Sequence, residues 1–401
     1  MGELRTRKRG KKWEWSFEGA RIGGKRQPIS KGGYRTKAEA IAAGTQAKAE
    51  YESAGRLFRP SEISVADYLD YWYQHYVERN LSYNTKQDYK RKIESHIKPD
   101  LGKYRLVALE PDIIQKWIDK KKDEGYSQSM VKNILCCLSG ALNYAVQPCQ
   151  YIKGNPCIYV NVPKIITPED RKAHTEYICG PDDYKAILQR FLEGSIFYLP
   201  ILTGYHCGTR IGETYGIDLM QDIDFDTNTL HIRHQLAKEG KTWYYRAPKY
   251  NSVRDIRIDL VYMDALRAEI HSRKLNQMKY GQYFIKTYLK PDNGIVQASA
   301  DISVDFPEIM PLSARENGEL LTPETFKYCA RVIHKELKNP LFHSHCLRHT
   351  HGTILAESGA QPKTVMERLG HKDLKTTMER YVFNTDKMKD DAVKLFTQAT
   401  S

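Results

Sequence analysis

The run His345-Cys346-Leu347-Arg348-His349-Thr350-His351 is the most unusual stretch of the 401-residue chain, and its interpretation decides the fold. His345 and Arg348 are three residues apart, so they share one face if the run is helical. His345 and His349 are four apart, a spacing that also suits two Zn²⁺ ligands on one helix face. The run lacks the glutamate of an HExxH motif, and spacing supplies no third ligand, so we expect no metal site.

Four further polar residues lie on either side of this run. Upstream, Arg210 follows Gly208-Thr209 and is predicted to open a short helix. Lys249 is predicted at the tip of a hairpin whose strands cover 243–246 and 253–258. Downstream, His371 follows Leu369-Gly370, and Tyr381 follows Glu379-Arg380. Taken singly, each of these side chains could simply be an inert surface residue.

Taken together, these residue types match the chemistry of phosphodiester transfer. The non-bridging oxygens need positioning and charge neutralisation, and two arginines supply both because they bind phosphate bidentately and stay charged. A lysine can protonate an alkoxide leaving group. A tyrosine can form a covalent phosphoester that conserves the bond energy for rejoining. None of these steps requires a metal or another cofactor.

The ordered set resembles the tyrosine recombinase family, particularly the integrases of conjugative transposons and temperate phages. The matching pieces are Thr209-Arg210-Ile211-Gly212-Glu213, Lys249 with Ser252 and Arg254, His345 to Thr350, Leu369-Gly370-His371, and Thr376 to Tyr381. The resemblance covers essentially the whole chain. It is strongest over about 200–385 and weakest over the first 60 residues, and the irregular stretch 280–321 has no confident match.

The resemblance implies six catalytic residues: Arg210, Lys249, His345, Arg348, His371 and Tyr381. In this family Tyr381 would attack the scissile phosphate, leaving a 3′-phosphotyrosyl bond and a free 5′-hydroxyl. The two arginines would hold the phosphate, and Lys249 would protonate the leaving oxygen.

The remaining roles are also implied by the resemblance. His345 and His371 would orient the phosphate and assist proton movement. Glu213 would support the site from behind, orienting His345 or Arg210.

The charge of the chain is uneven and predicts a polyanionic partner. The formal net charge is +13, and residues 1–60 carry 15 basic and 6 acidic side chains, a net +9. Neutralising phosphates releases counterions, so a nucleic acid is the natural partner, with a merely soluble basic tail or an anionic membrane surface as the alternatives. The family resemblance implies that this nucleic acid is double-stranded DNA. The predicted DNA contacts are Arg7, Lys8, Arg9, Lys11, Lys12, Lys25, Arg26, Lys86, Lys90 and Arg91.

The predicted fold is multidomain and mostly α-helical with small β-sheets. Residues 1–60 are expected to form an α+β arm-site-binding domain, in which a three-stranded sheet precedes a helix opened by Thr36 and Glu39, and Gly32-Gly33 make a turn. Residues 61–160 are expected to form a helical, SAM-like core-binding bundle of four amphipathic helices. Residues 161–178 would be a linker, and 179–401 the catalytic domain.

The expected function is site-specific recombination that integrates and excises a mobile element. The expected partners are core and arm DNA sites, further copies of the chain in a tetrameric synaptic complex, and an excisionase or DNA-bending protein; a monomer without DNA is the alternative state. The helix predicted near 391–398 could pack against a neighbouring subunit or against the subunit to which it belongs.

Three alternatives remain open: a chromosome-dimer-type recombinase, a type IB topoisomerase-like relaxing enzyme, and a catalytically silent DNA-binding regulator. The basic N-terminal segment argues against the first, and the complete catalytic set argues against the last.

The location expected for the chain is the cytoplasm. No run approaches the roughly 18 apolar residues of a membrane helix, and no apolar stretch follows the basic N-terminus. The eight cysteines form no CxxC pair, and the adjacent Cys136 and Cys137 are expected to be buried thiols, which suits a reducing compartment.

Overall fold

A computed structural model describes residues 3–22, 25–54, 63–163, 177–375, 377, 390–391, 393–394 and 396–398. The chain divides into two compact units, Met1–Ile166 and Thr167–Ser401. Within the described residues, no helix is long and apolar enough to cross a membrane. Most of the predicted linker, 164–176, and the predicted nucleophile Tyr381 lie outside the described residues.

The first unit begins with a three-stranded antiparallel sheet in the order β1 (Arg5–Arg9), β2 (Lys12–Ile22), β3 (Lys25–Tyr34). Helix α1 (Lys37–Ala54) packs on the face that carries Trp15 and Phe17, whose rings stack 5.6 Å apart. Thr36 Oγ1 accepts from the Glu39 backbone N–H, as predicted for the helix start. The predicted turn at Gly32-Gly33 is wrong, because both glycines lie within β3, where a bulge shifts the register.

Four helical stretches follow within residues 63–163, the rest of the first unit that the structure describes. The first comprises α2 (Val65–Trp72), a π-helical turn and α3 (Glu78–Asn80), and the second comprises α4 (Tyr83–Lys92), a π-helical turn and α5 (Lys98–Leu101). The last two are α6 (Pro111–Asp123) and α7 (Gln128–Val146). Their apolar faces meet in one core, which confirms the predicted helical bundle.

The two adjacent cysteines of α7 differ in burial. Cys137 is buried and Cys136 is exposed, so the prediction that both are buried is wrong. Neighbouring helix positions lie about 100° apart, so only one of them faces the core. All eight cysteines are free thiols.

In its described residues, the second unit mixes helices with three small antiparallel sheets. Its helices are α8 (Pro181–Arg190), α9 (Tyr198–Cys207), α10 (Ile211–Thr214), α11 (Leu260–Tyr280), α12 (Phe326–Glu336), α13 (Ser344–Glu357) and α14 (Pro362–Leu369). Its strands are β4 (Ile223–Asp224), β5 (Thr229–Ile232), β6 (Gln235–Glu239), β7 (Thr242–Arg246), β8 (Arg254–Arg257), β9 (Ile285–Leu289), β10 (Ile295–Ser299) and β11 (Glu308–Ile309). The sheet orders are β4–β5–β8, β6–β7 and β10–β9–β11.

Strand pairing corrects two predictions in this unit. Strands β7 and β8 do not form a hairpin, because β7 pairs with β6 and β8 pairs with β5. Lys249 therefore lies in a short helical turn, Lys249–Asn251, that joins two different sheets. The stretch 280–321 is not irregular, because it contains the third sheet.

Truncating Leu138 to Ala should lower the free energy of unfolding of the first unit by about 3 kcal/mol, because the completely buried side chain leaves a cavity. The control is Cys136→Ala on the exposed face of the same helix. Urea denaturation followed by tryptophan fluorescence measures both. Equal effects of the two substitutions would contradict this core.

Candidate active site

The C-terminal end of α14 is where three arginines from distant parts of the chain meet. Three consecutive backbone carbonyls each accept a hydrogen bond from a different guanidinium: Arg368 O from Arg254 Nε at 2.8 Å, Leu369 O from Arg348 Nη2 at 2.6 Å, and Gly370 O from Arg210 Nη2 at 2.9 Å. The last carbonyls of a helix have no partner within it and carry partial negative charge. Guanidinium groups therefore satisfy this helix end and are in turn held by it.

A glycine shapes the turn that presents these carbonyls. Gly370 has φ 65°, a left-handed conformation that favours glycine. Its backbone N–H donates to Glu367 O, and the N–H of His371 donates to Met366 O, the pattern of a Schellman cap. The carbonyls of 366 and 367 are thus satisfied internally, which leaves the next three for the arginines.

Arg348 connects this turn to a second helix end. It lies on α13 and is only 4% exposed. Its Nη1 donates to Gly208 O at 2.8 Å, just after the last residue of α9. One guanidinium therefore spans the C-terminal ends of α9 and α14.

Arg210 immediately precedes the short helix α10 and caps its start, as the prediction that it opens a helix required, and its side chain has spare donors. Its Nη1 donates to Glu213 Oε1 at 2.6 Å and to Ser252 Oγ at 3.2 Å, in addition to the bond from Nη2 to Gly370 O. A guanidinium has five N–H groups. These three bonds to described residues leave two donors, enough for a bidentate contact with a phosphate.

Glu213 is the anion that the arginines share. It is fully buried and accepts from Arg210 Nη1 and, at 2.8 Å, from Arg254 Nη2. Burial alone raises the pKa of Glu213, but Arg254, Arg210 and Arg348 outweigh burial and hold that pKa below its ordinary value of 4.5. The carboxylate is therefore ionised and fixes both Arg210 and Arg254.

The other predicted catalytic residues are not among the three side chains that bond the carbonyls at the end of α14. Lys249 is exposed, with Nζ 5.1 Å from the Tyr250 ring centre, and its turn leads directly to Ser252. His345 is exposed on α13, one turn before Arg348. His371 follows the Gly370 turn, and its Nδ1 lies 2.8 Å from Thr377 Oγ1.

Sequence reasoning missed the roles of three residues at this site. Arg254 follows Lys249 and Ser252 in the matching motif, and no role was predicted for it, although it bonds both Glu213 and the helix end. Arg368 and His351 were passed over, although Arg368 Nε donates to His351 Nε2 at 2.9 Å. The partners of these side chains are mostly backbone carbonyls brought close by the fold, for which a sequence gives no signal.

The predicted DNA contacts lie mainly on exposed surfaces of the first unit. Arg7, Lys8, Arg9, Lys11 and Lys12 are exposed. Arg7 and Arg9 share Glu14, at 3.6 and 2.8 Å.

The remaining predicted DNA-contact residues differ in exposure. Lys90 is exposed, and Arg91 is exposed and pairs with Asp88. Lys86 is partly buried and pairs with Glu78. The side chains of Lys25 and Arg26 lie outside those described.

Among the described residues, no group of three or more His, Cys, Asp or Glu side chains could hold a metal ion. The rings of His345 and His349 are 6.4 Å apart, centre to centre.

Two family profiles match the chain. The Phage integrase family matches residues 182–388, which include Arg210, Arg348 and Tyr381. The N-terminal SAM-like domain of phage integrases matches residues 64–122, within the helical bundle.

Similar proteins include recombinases and transposases. A "Tyrosine recombinase XerC-like" protein of Caldanaerobacter subterraneus subsp. tengcongensis is 24% identical over 83% of this chain and 82% of its own length. The transposase from transposon Tn916 of Enterococcus faecalis is 23% identical over 75% of this chain and 70% of its own length.

Solved structures share the fold. The integrase of transposon Tn1549, in complex with a circular intermediate DNA, superposes with a TM-score of 0.64 at 21% identity, covering 83% of this chain and 99% of that one. A lambda integrase tetramer bound to a Holliday junction superposes with a TM-score of 0.54 at 17% identity, covering 93% of each chain. These likenesses confirm the predicted multidomain, mostly helical fold.

Replacing Glu213 by Gln should lower the free energy of unfolding by about 3 kcal/mol at neutral pH, because two partly buried arginines lose their shared, fully buried carboxylate. The folded-state pKa is depressed, so this stabilisation is complete above the unfolded-state pKa and is lost as pH falls. The difference between wild type and variant should therefore shrink on acidification below about pH 5.

The control for this substitution is Glu319→Gln, which removes an exposed pair with Arg315. Chemical denaturation across a pH series measures both variants. A Glu213→Gln effect that is no larger than the control, or that grows in acid, would contradict the buried carboxylate network.

Proposed function

The chain belongs to the phage integrase family, and on that premise we propose that it integrates and excises a mobile element through a 3′-phosphotyrosyl intermediate. Membership in this family makes it a tyrosine-type DNA breaking and rejoining enzyme. The observation that carries the proposal is the pair of guanidiniums of Arg210 and Arg348, here called the clamp, fixed on neighbouring carbonyls of one helix end.

The clamp suits a phosphodiester because its donors are already held by the protein before DNA arrives. Arg348 is buried and fixed at two helix ends, and Arg210 is fixed by Glu213 and Gly370 while keeping two donors for a ligand. Donors that are already oriented stabilise developing charge without reorganising during the reaction. We assign the non-bridging oxygens of the scissile phosphate to the clamp.

The proposed reaction exchanges one phosphoester for another. Tyr381 Oη bonds to phosphorus as the bond to the 5′ oxygen breaks, and His345 or His371 receives the phenolic proton. Lys249 gives a proton to the departing 5′ oxygen. In the rejoining step a 5′-hydroxyl attacks the phosphotyrosine and Tyr381 leaves, so the backbone is resealed without another energy source.

The sheet of the first unit supports a role in binding distal DNA sites. Arg5, Arg7 and Arg9 alternate along β1, so they lie on the face opposite Trp15 and Phe17. A basic sheet face can enter a major groove and contact phosphates. We assign arm-site DNA to this face and core-site DNA to the helical bundle and the catalytic domain.

The proposed assembly is a tetramer on two DNA duplexes in the cytoplasm, with an excisionase or DNA-bending protein setting direction. The lambda integrase tetramer on a Holliday junction supports this proposal by analogy of fold. A chromosome-dimer-type recombinase is the second candidate, favoured by the XerC-like relative. The basic sheet at the N-terminus favours the integrase, because chromosome-dimer-type recombinases usually lack such a domain.

Changing Tyr381 to Phe should abolish the covalent protein–DNA adduct and leave DNA affinity unchanged, because only the attacking oxygen is removed. Denaturing gels of a nicked core-site substrate measure adduct formation, and gel shifts measure affinity. Tyr283→Phe, at an exposed tyrosine of the same unit, is the control and should form adduct normally. Full adduct yield from the Tyr381 variant would overturn the assignment of the nucleophile.

Replacing Arg5, Arg7 and Arg9 together by Ala should weaken binding to distal sites and spare cleavage of a minimal core site. If each contacts one phosphate, the slope of log affinity against log salt should fall by about 3. The control replaces three exposed cations of α11: Arg267, Lys274 and Lys279. An unchanged salt slope at distal sites would exclude this face as the arm-binding surface.

A further inference from the structure

Behind the clamp, Arg368 joins three separate elements. Its Nε donates to His351 Nε2 at 2.9 Å, its Nη1 to Arg257 O at 2.8 Å, and its Nη2 to His206 O at 3.2 Å. His351 lies on α13, Arg257 ends β8, and His206 lies in the last turn of α9. Each of the three guanidinium nitrogens of Arg368 thus donates to the protein.

His351 can make its hydrogen bonds to Tyr205 O and Arg368 Nε in one protonation state only. Its Nδ1 lies 2.8 Å from Tyr205 O, which can only accept a hydrogen bond. Its Nε2 faces the Arg368 Nε–H, which can only donate. The ring must therefore be neutral, with its proton on Nδ1. Burial, reinforced by the charge of Arg368, lowers the pKa of His351 to about 4 and so favours this neutral form.

Arg368 immediately precedes in the chain the two residues whose carbonyls hold the clamp. Leu369 O and Gly370 O, which accept from Arg348 and Arg210, follow Arg368 immediately in the chain. A Cβ added at Gly208 would lie 2.7 Å from His351 Cδ2 and 2.6 Å from Leu369 Cδ2. The His351 ring, the Gly208 backbone and Leu369 are therefore packed without spare room.

From this arrangement we propose that His351 and Arg368 are positioning residues, which lock the ends of α9 and α14 together and so set the spacing of the two clamp guanidiniums. The inference rests on the proposed function, because it presumes that Arg210 and Arg348 hold the scissile phosphate. Neither His351 nor Arg368 contacts DNA in this role. Their effect reaches the phosphate through the carbonyls of Gly208, Leu369 and Gly370.

The test measures single-turnover adduct formation on a nicked core-site duplex by the full chain. His351→Phe and Arg368→Met should each slow the reaction on the order of 10²-fold, because a small misplacement of catalytic groups has that effect, and DNA affinity should be unchanged. His351→Gln keeps an acceptor for Arg368 and should recover most of the rate. The control Arg273→Met removes a buried arginine that bonds Glu269 and Leu312 O, and should keep the wild-type rate.

A second substrate separates positioning from general damage. A methylphosphonate at the scissile position has no negative charge, so its cleavage needs the clamp far less. His351→Phe and Arg368→Met should approach the wild-type rate on this substrate, as should Arg210→Ala. A protein that is merely misfolded would stay inactive on both substrates.

Each other result overturns a defined claim. If Arg210→Ala is rescued by the methylphosphonate but the His351 and Arg368 variants are not, the positioning role is wrong and the clamp stands. If Arg210→Ala is not rescued either, the clamp assignment fails, and the positioning role falls with it. Normal rates on the ordinary phosphate, or loss of DNA binding in parallel with cleavage, also overturn the positioning role.

Discussion

The end of helix α14 imposes the constraint on which the site depends. Three of its terminal carbonyls lack partners within the helix, and burying them unsatisfied would cost free energy. Arginines from β8, α13 and the start of α10 satisfy one carbonyl each. The same bonds fix the direction of the Arg210 and Arg348 side chains. The interactions that satisfy the helix end therefore also orient the guanidiniums of the phosphate site.

The charge balance of the site follows from that constraint. Partly buried guanidiniums need an anion, and Glu213 supplies it to Arg210 and Arg254. Arg348 is instead bonded to Gly208 O and Leu369 O, and a neutral histidine rather than a carboxylate faces Arg368. Because one carboxylate serves several arginines, the site keeps a net positive charge, which suits a phosphodiester.

The sequence predicted much of this arrangement where the signal was local. Helical spacing placed His345 and Arg348 on one helix, and Arg210 begins a helix as predicted. The hairpin predicted around Lys249 was wrong because β7 and β8 pair with strands elsewhere, and strand pairing is not encoded by neighbouring residues. Arg254, Arg368 and His351 act through backbone carbonyls, which no residue type reveals. The place of Tyr381 beside the clamp stays a prediction.

A crystal structure of the Tyr381→Phe chain on an intact core-site duplex tests the account most directly. We expect the guanidiniums of Arg210 and Arg348 to contact non-bridging oxygens of the same phosphate, at hydrogen-bond distances of about 3 Å. Their bonds to Gly370 O and Leu369 O should be retained, and that phosphate should be the one cleaved by the wild-type chain. Guanidiniums bound to different phosphates, or released from those carbonyls, would contradict it.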